Sequence, residues 1–347
     1  MDPVGASALI DQALAATRRH DEQAAGDLLD QVAQDGPAAL RLGTGLLFDP
    51  DPTERAVGCR LLRRAGDQHE EVRPPAAARL LAALPDETDR TVRRLAVEAL
   101  GATADERAAP LLVALADDAD PGLREAVAGA LASTAPEAPG EPELSTLIRL
   151  TGDREPEVRN WATFALGFRL AVDTPAVRAA LWARTGDPYH QARAEGIRGL
   201  AVRHDPRALR PLGELLAWSG GDPLTLRAAA VLGAPELLPR LRALDPATPG
   251  LAEALAACDP VLRAALDRQA WALVEALQRL LPDRAVAIGS ERFEPGLTLT
   301  VGTAEDALHW SAGHLLARAG GTVERAATLA AEDVAAAADH PGAPRTA

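Results

Sequence analysis

At 347 residues, 47% of them hydrophobic but only 3% aromatic, the chain is long enough for a sizeable core that has to be built from Ala, Leu and Val. A net charge of −14 argues against nucleic acid as a ligand, because phosphate binding needs a basic footprint on the protein. No run approaches 18 uninterrupted apolar residues, which excludes a membrane-spanning helix as a sequence expectation.

Residues 1–35 read as an N-terminal helical cap, two short amphipathic helices broken near Arg19 and His20. From 36 to 258 the pattern alternates two helices per unit, and the second helix of each opens on an acid followed by an arginine. The pairs are Asp49/Arg55, Asp118/Arg124, Asp153/Arg159 and Asp187/Arg193, with Glu87/Arg93 and Asp222/Arg227 as variants. Successive arginines fall 31 to 38 residues apart, the period of a stacked helical array. Within the fourth unit, Val158, Ala162, Ala165 and Leu166 cluster on one side at 100° per residue and form the packed stripe. The small residue three places after most of the arginines (Gly58, Ala96, Ala162, Gly196, Ala230) lets a neighbouring helix approach. Pro110, Pro211 and Pro239 read as internal prolines that kink the first helices. The stretch 133–143 reads as an acidic, proline-rich surface loop.

Residues 259–339 read as a C-terminal cap: a longer helix over 260–281, a β-hairpin at about 285–301 turning at Glu294-Pro295-Gly296, and helices near 304–317 and 322–338. Residues 340–347 read as a disordered tail. Asp2 and Pro3 stand where a signal peptide would begin, so the expectation is a cytoplasmic protein. Cys59 and Cys258 are far apart, lie in helical patterns and read as buried free thiols. All 36 basic residues are arginine; a GC-rich genome accounts for that, with selection against lysine modification as the sharper alternative.

A first helix holding a proline, a turn aspartate, then an aliphatic residue with arginine and a closing Ala-Leu resembles the HEAT-repeat family, and within it the bacterial variety also found in phycobilin lyases. Ala109-Pro110-Leu111-Leu112, Asp118, Leu123-Arg124 and Ala130-Leu131 carry the likeness. The resemblance covers about two thirds of the chain. It implies an all-α fold, a right-handed α-solenoid of about six to seven two-helix repeats, here with a short β-hairpin near the C-terminus. In that family the acid and the arginine form a ladder between adjacent units. That role carries to Asp49, Arg55, Arg93, Asp118, Arg124, Asp153, Arg159, Asp187, Arg193 and Arg227, while Glu87 and the shifted Asp222 depart from the pattern. If a rung such as Arg159 is partly exposed, its loss is expected to cost about 0.5–1 kcal/mol.

The resemblance also places the second helices on the concave face. Positions one and five after each arginine point away from the packed stripe, which selects Arg60, Arg94, Glu98, Glu125, Asn160, Phe164 and Arg198. Phe164 beside the single asparagine is either a partner-binding anchor with polar directors or local packing with Trp161. Trp182, Trp218 and Tyr189 read as packing residues. The chain shows no Walker loop, GxGxxG, HExxH or GxSxG, and His309 and His314 do not share a helical face. His69-Glu70 is a single pair where the HEAT-like di-iron hydroxylases carry several, and the HEAT-like DNA glycosylases need a basic groove and an aspartate that this chain does not match. No catalytic, cofactor-binding or metal-binding residue is therefore expected. The functional expectation is a non-catalytic scaffold binding another protein through Arg60, Arg94, Glu98, Asn160, Phe164 and Arg198. An enzyme of the glycosylase or lyase type and a self-associating module, pairing copies through the hairpin, are the alternatives.

Overall fold

The computed structural model describes residues 3–134, 140–291, 294–303 and 306–339. The expected tail at 340–347 and residues 135–139 of the expected loop at 133–143 lie outside them; of the rest of that loop, 133 and 134 end one helix and 141–143 begin the next. The chain divides into two compact units, residues 1–196 and 197–347, each described by itself. The division falls inside the stretch 36–258, within a single helix.

Unit 1 opens with α1 (Pro3–Arg18) and α2 (Glu22–Ala33), separated at His20, which takes a left-handed φ of 61°. Helix pairs follow: α3 (Gly36–Leu46) with α4 (Pro52–Gln68), α5 (Arg73–Ala83) with α6 (Arg90–Thr103), α7 (Ala109–Leu115) with α8 (Pro121–Thr134), and α9 (Glu141–Leu150) with α10 (Pro156–Phe164). The last pair is α11 (Pro175–Arg184) with α12 (His190–Ala201), whose final turn enters unit 2. Acidic residues start several of these helices by accepting orphan backbone N–H groups: Asp35 from Ala38, Asp51 from Thr53 and Asp89 from Val92.

The second helices stack on one another, α2 on α4, α4 on α6, α6 on α8 and α8 on α10. Their inward stripe is buried, with Val158, Ala162, Ala165 and Leu166 fully shielded. Small residues set the approach. A methyl added at Gly58 would meet the Gly43 carbonyl oxygen and Leu46 Cβ at 2.9 Å, and one added at Gly196 would meet the Leu181 carbonyl at 2.8 Å.

The prolines expected to kink the first helices begin them instead. Pro110 lies at the start of α7, after a 3₁₀ turn at Glu106–Ala108. Its missing N–H falls where no intrahelical partner exists, so no kink is required.

Unit 2 contains α13 (Leu209–Ser219), α14 (Pro223–Leu232), the single turn α15 (Leu238–Leu241), α16 (Leu251–Cys258) and α17 (Pro260–Leu280). Pro211 and Pro239 again sit in the opening turns of α13 and α15. Then come β1 (Val286–Gly289), β2 (Thr298–Val301), β3 (Leu308–Ser311), α18 (Ala312–Arg318) and α19 (Val323–Asp339). The expected hairpin is thus two strands of a three-stranded antiparallel sheet, in the order β1-β2-β3. Residues 308–311, expected as helix, are strand. Leu308 and Trp310 alternate with exposed His309, and the period of two turns both large side chains onto a core with Leu273, Leu277, Leu299 and Val301. Trp310 Nε1–H donates to Asp333 on α19 at 3.2 Å, so the buried indole keeps a partner. Gly296 in the connecting loop holds a φ of +78°, open to glycine. No helix among the described residues is long and apolar enough to cross a membrane.

Candidate functional site

Two arrangements of side chains follow the stacking in unit 1. The first is the ladder. Arg55 donates to both Glu87 carboxylate oxygens at 2.7 and 2.9 Å, and at 2.9 Å to the carbonyls of Asp49 and Pro50 in its own turn. Arg93 reaches Asp118 at 2.9 Å. Arg124 grips Asp153 with two bonds of 2.8 and 2.9 Å, and Arg159 grips Asp187 with two of 2.8 Å. Arg124 and Arg159 also donate to the carbonyls of Asp118 and Asp153, six residues back. Each receiving acid in turn accepts the backbone N–H two residues on, of Asp89, Asp120, Glu155 and Tyr189 respectively. Arg55, Arg124 and Arg159 are thus clamped by their own turns and delivered to the acid of the next unit, while Arg93, among the described residues, reaches Asp118 without that clamp.

The later two rungs are the most buried: side-chain exposure is 6% and 10% for Arg124 and Asp153, and 12% and 1% for Arg159 and Asp187, against 25% and 20% for Arg93 and Asp118. Burial alone would raise the Asp153 and Asp187 carboxyls, but the arginine and backbone hydrogen bonds outweigh it and hold both below their usual range. Glu87 follows the same balance. At Asp118 the Asp120 N–H is the larger influence, and the carboxyl is again lowered.

The ends differ. Asp49 accepts the Asp51 N–H at 2.8 Å and has no arginine partner among the described residues. Arg193 donates to the Asp187 carbonyl at 3.4 Å and to no acid among the described residues. In unit 2 it is Arg198 that meets Asp222 at 3.1 Å and Thr225 at 3.0 Å, matching the shift of that acid. Arg198, assigned from the sequence to an open binding face, is therefore largely buried in an ion pair. Arg227, assigned to the ladder, pairs with Glu294 at the surface. A shallow depression of about 470 Å³ opens over one rung, lined by Asp117, Asp118, Arg124, Asp153 and Arg154, but its central groups are already committed to each other.

The second arrangement is the solvent side of the second helices. Arg60 pairs with Glu22 at 2.6 Å, Arg63 reaches Glu98 at 3.5 Å, and Arg94 also pairs with Glu98 one helical turn away. The arginines expected to face a partner are thus neutralised in place. Further along, the character changes. Glu157, Asn160, Trp161 and Phe164 recur at three- and four-residue spacing along α10 and share one face. A five-residue π-turn, Ala165–Arg169, continues the helix and sets Phe168 against Phe164, with ring centroids 6.0 Å apart. Trp161 meets Phe164 edge-on at 6.0 Å, overlies Gly129 of α8 and remains 42% exposed. Phe164 is the half-buried base of the cluster and Trp161 its open edge.

The Trp161 indole lies near enough to Glu125 on α8 to bear on its titration, and Glu157 near enough to Tyr189 to bear on that of its hydroxyl. Burial is the main influence lifting the Glu125 carboxyl, with the like charges of Glu157 and Glu98 adding to it against Trp161 and Arg94. Burial, then Glu157 and Glu125, raises the Tyr189 hydroxyl as well. Neither acid has an arginine at ion-pairing distance among the described residues. The Asn160 side-chain oxygen is buried and accepts no hydrogen bond there.

Reading only positions one and five after each arginine selected Glu125, Asn160 and Phe164 but left out Glu157 and Trp161. Glu157 lies two before Arg159 and Trp161 two after it; their i,i+4 relation on one helix was the available signal. Trp182 and Trp218, read as packing residues, are exposed. Cys59 and Cys258 are buried, and burial pushes their thiols up to about 12 and about 11, which keeps them unreactive. The described residues contain no group of three or more His, Cys, Asp or Glu side chains placed to hold a metal ion.

A family model described as HEAT repeats matches the sequence twice, over residues 39–132 and 77–167. The solved structure of YibA from Escherichia coli is similar at 23% identity over 72% of this chain and 91% of that one, with a TM-score of 0.51. The likeness is one of fold. The complex of CpcE and CpcF of phycocyanin lyase from Nostoc sp. PCC7120 matches at 22% identity, covering 47% of this chain and 98% of that one, with a TM-score of 0.37. A designed armadillo repeat protein in complex with the peptide (KR)4 matches at 19% identity, covering 57% and 97%, with a TM-score of 0.42. A search of the curated proteins gives no match.

Proposed function

We propose, from the match of residues 39–167 to a HEAT-repeat family model, that the protein is a non-catalytic cytoplasmic scaffold that binds another protein across the solvent side of its second helices. One observation carries this reading: the aromatic edge of Trp161 and Phe164 stands partly open beside hydrogen-bonding groups, on a surface whose arginines are otherwise neutralised. An aromatic anchor ringed by polar groups is the usual composition of an interaction hot spot. HEAT-like architecture alone does not fix function, so the argument rests on this face.

The test is affinity capture from the native host's lysate, with and without nuclease, comparing the wild type with Phe164→Ala and with Trp161→Ala. A protein retained by the wild type in both samples, and lost in folded variants, is the expected result. Retention by both variants, with unchanged circular dichroism, would remove this face from consideration. Loss on nuclease treatment would point to nucleic acid and to the glycosylase-like alternative.

A further inference from the structure

We propose that the outward face of α17 in unit 2 pairs with the same face of a second copy of this chain, the two helices running antiparallel. The residues involved are neither those of the second-helix face of unit 1 nor those of the hairpin, so the inference stands apart from the proposed function.

The starting observation is a helix that is only half covered. α17 buries Ala270, Leu273, Val274, Ala276 and Leu277, whereas none of its first ten residues is buried. Val261, Leu262, Trp271 and Leu280 are four of the ten large hydrophobic side chains left exposed among the described residues, more than any other element holds. At 100° per residue, Val261, Ala264, Arg268, Trp271, Ala272 and Glu275 fall on the side away from the buried stripe. Trp271 is 58% exposed and Val261 75%, so this side carries apolar area that water would rather lose.

The order of charges along that side says what covers it. Arg268 and Glu275 are both exposed, stand two turns apart, and are engaged in no ion pair or side-chain hydrogen bond among the described residues. Their midpoint lies between Trp271 and Ala272. A second copy laid antiparallel about that midpoint brings its Glu275 to Arg268 and its Arg268 to Glu275, two ion pairs from a single two-fold axis. The same register sets each Trp271 against the other copy's Ala272, a large ring on a small side chain, and Ala264 keeps the adjoining turn low. An in-register parallel pairing instead brings Arg268 to Arg268 and Glu275 to Glu275. An aromatic centre with charged pairs at its rim is also how a protein interface is composed. Two copies of a chain of net charge −14 repel over most of their surface, but α17 holds three arginines against two acids and meets its own image without that penalty.

The experiment is sedimentation equilibrium of the full chain at rising concentration. The wild type should pass from the mass of one chain to that of two. Arg268→Glu leaves acids at both charged positions and Glu275→Arg leaves arginines at both, so each variant alone meets like charge twice and should pair about tenfold or more weakly. The decisive sample mixes the two variants. Every charged contact between unlike copies then joins an acid to an arginine, and mixed pairs should form with about the strength of the wild type. Trp271→Ala should weaken pairing as well, because it removes the anchor. All three positions are exposed, so the fold is expected to hold, and circular dichroism checks it.

A wild type that keeps the mass of one chain at every concentration would overturn the proposal. A dimer unmoved by both reversals would overturn it too, and would place self-association on another surface such as the hairpin. Weakening in both single variants without recovery in the mixture would do the same, since the two charges would then not face each other.

Discussion

A guanidinium that is almost fully buried must have its donors placed, and Arg124 and Arg159 place theirs twice over, on two carboxylate oxygens and on carbonyls of their own turn. Removing Arg124 leaves the buried Asp153 carboxylate with no cation at ion-pairing distance among the described residues and only the Glu155 N–H, whereas Asp187 keeps Arg184 when Arg159 is lost. Arg124→Ala is therefore expected to cost about 3 kcal/mol, the lower end for breaking a buried pair, against the 0.5–1 kcal/mol of an exposed one. Denaturant melts check it, with Arg210→Ala, from an exposed pair with Glu214, as the comparison that should barely move the midpoint. Spacing together with the family resemblance picked out Arg55, Arg93, Arg124, Arg159, Asp118, Asp153 and Asp187, but it set Glu87 apart and included Asp49, Arg193 and Arg227, which make no rung among the described residues. The burial of the rungs was not legible, because it comes from neighbours about thirty positions away, and neither was the reassignment of Arg198, which follows a one-residue shift of its acid.

Elements are held at their separation by what is missing from their surfaces. At Gly58 the obstacles to a methyl are a carbonyl oxygen and a Cβ of α3, both part of rigid helix. Gly58→Ala is expected to destabilise by roughly 1–3 kcal/mol despite its better helix propensity, because α3 and α4 must part. A melt showing stabilisation would mean that the helices slide freely at this crossing. The helix pairs were readable from a 3.6-residue period and turn chemistry. The third strand was not: Leu308 to Ser311 is short, and it runs directly into the helical pattern of α18, which dominates any window that contains both. Likewise, Pro110 in an apolar run looks internal until the turn at Glu106–Ala108 is seen to be 3₁₀.

For the molecule, the ladder turns acidity into a stability variable. The Glu87, Asp118, Asp153 and Asp187 carboxyls all lie below their unfolded values of about 4. A depressed carboxyl contributes stability that is fully present above its unfolded value and is lost as pH falls through the folded one. Urea midpoints should therefore change little through this cause between neutrality and about pH 5, then fall as pH drops below about 4. The decline should be shallower in Asp153→Asn, which has already lost one linked group. Added salt should do little to these rungs at neutral pH, since buried pairs are weakly screened.

The rungs also have a direction. In unit 1 each rung takes its cation from the earlier repeat and its anion from the later one, and Arg55, Arg124 and Arg159 are already clasped by their own turns. A chain emerging from the ribosome therefore completes each socket before the plug that fills it is made. The growing end exposes a preset cation that only the next stretch of polypeptide can satisfy, so synthesis order and assembly order coincide, and a repeat arriving out of turn meets a socket that is already filled.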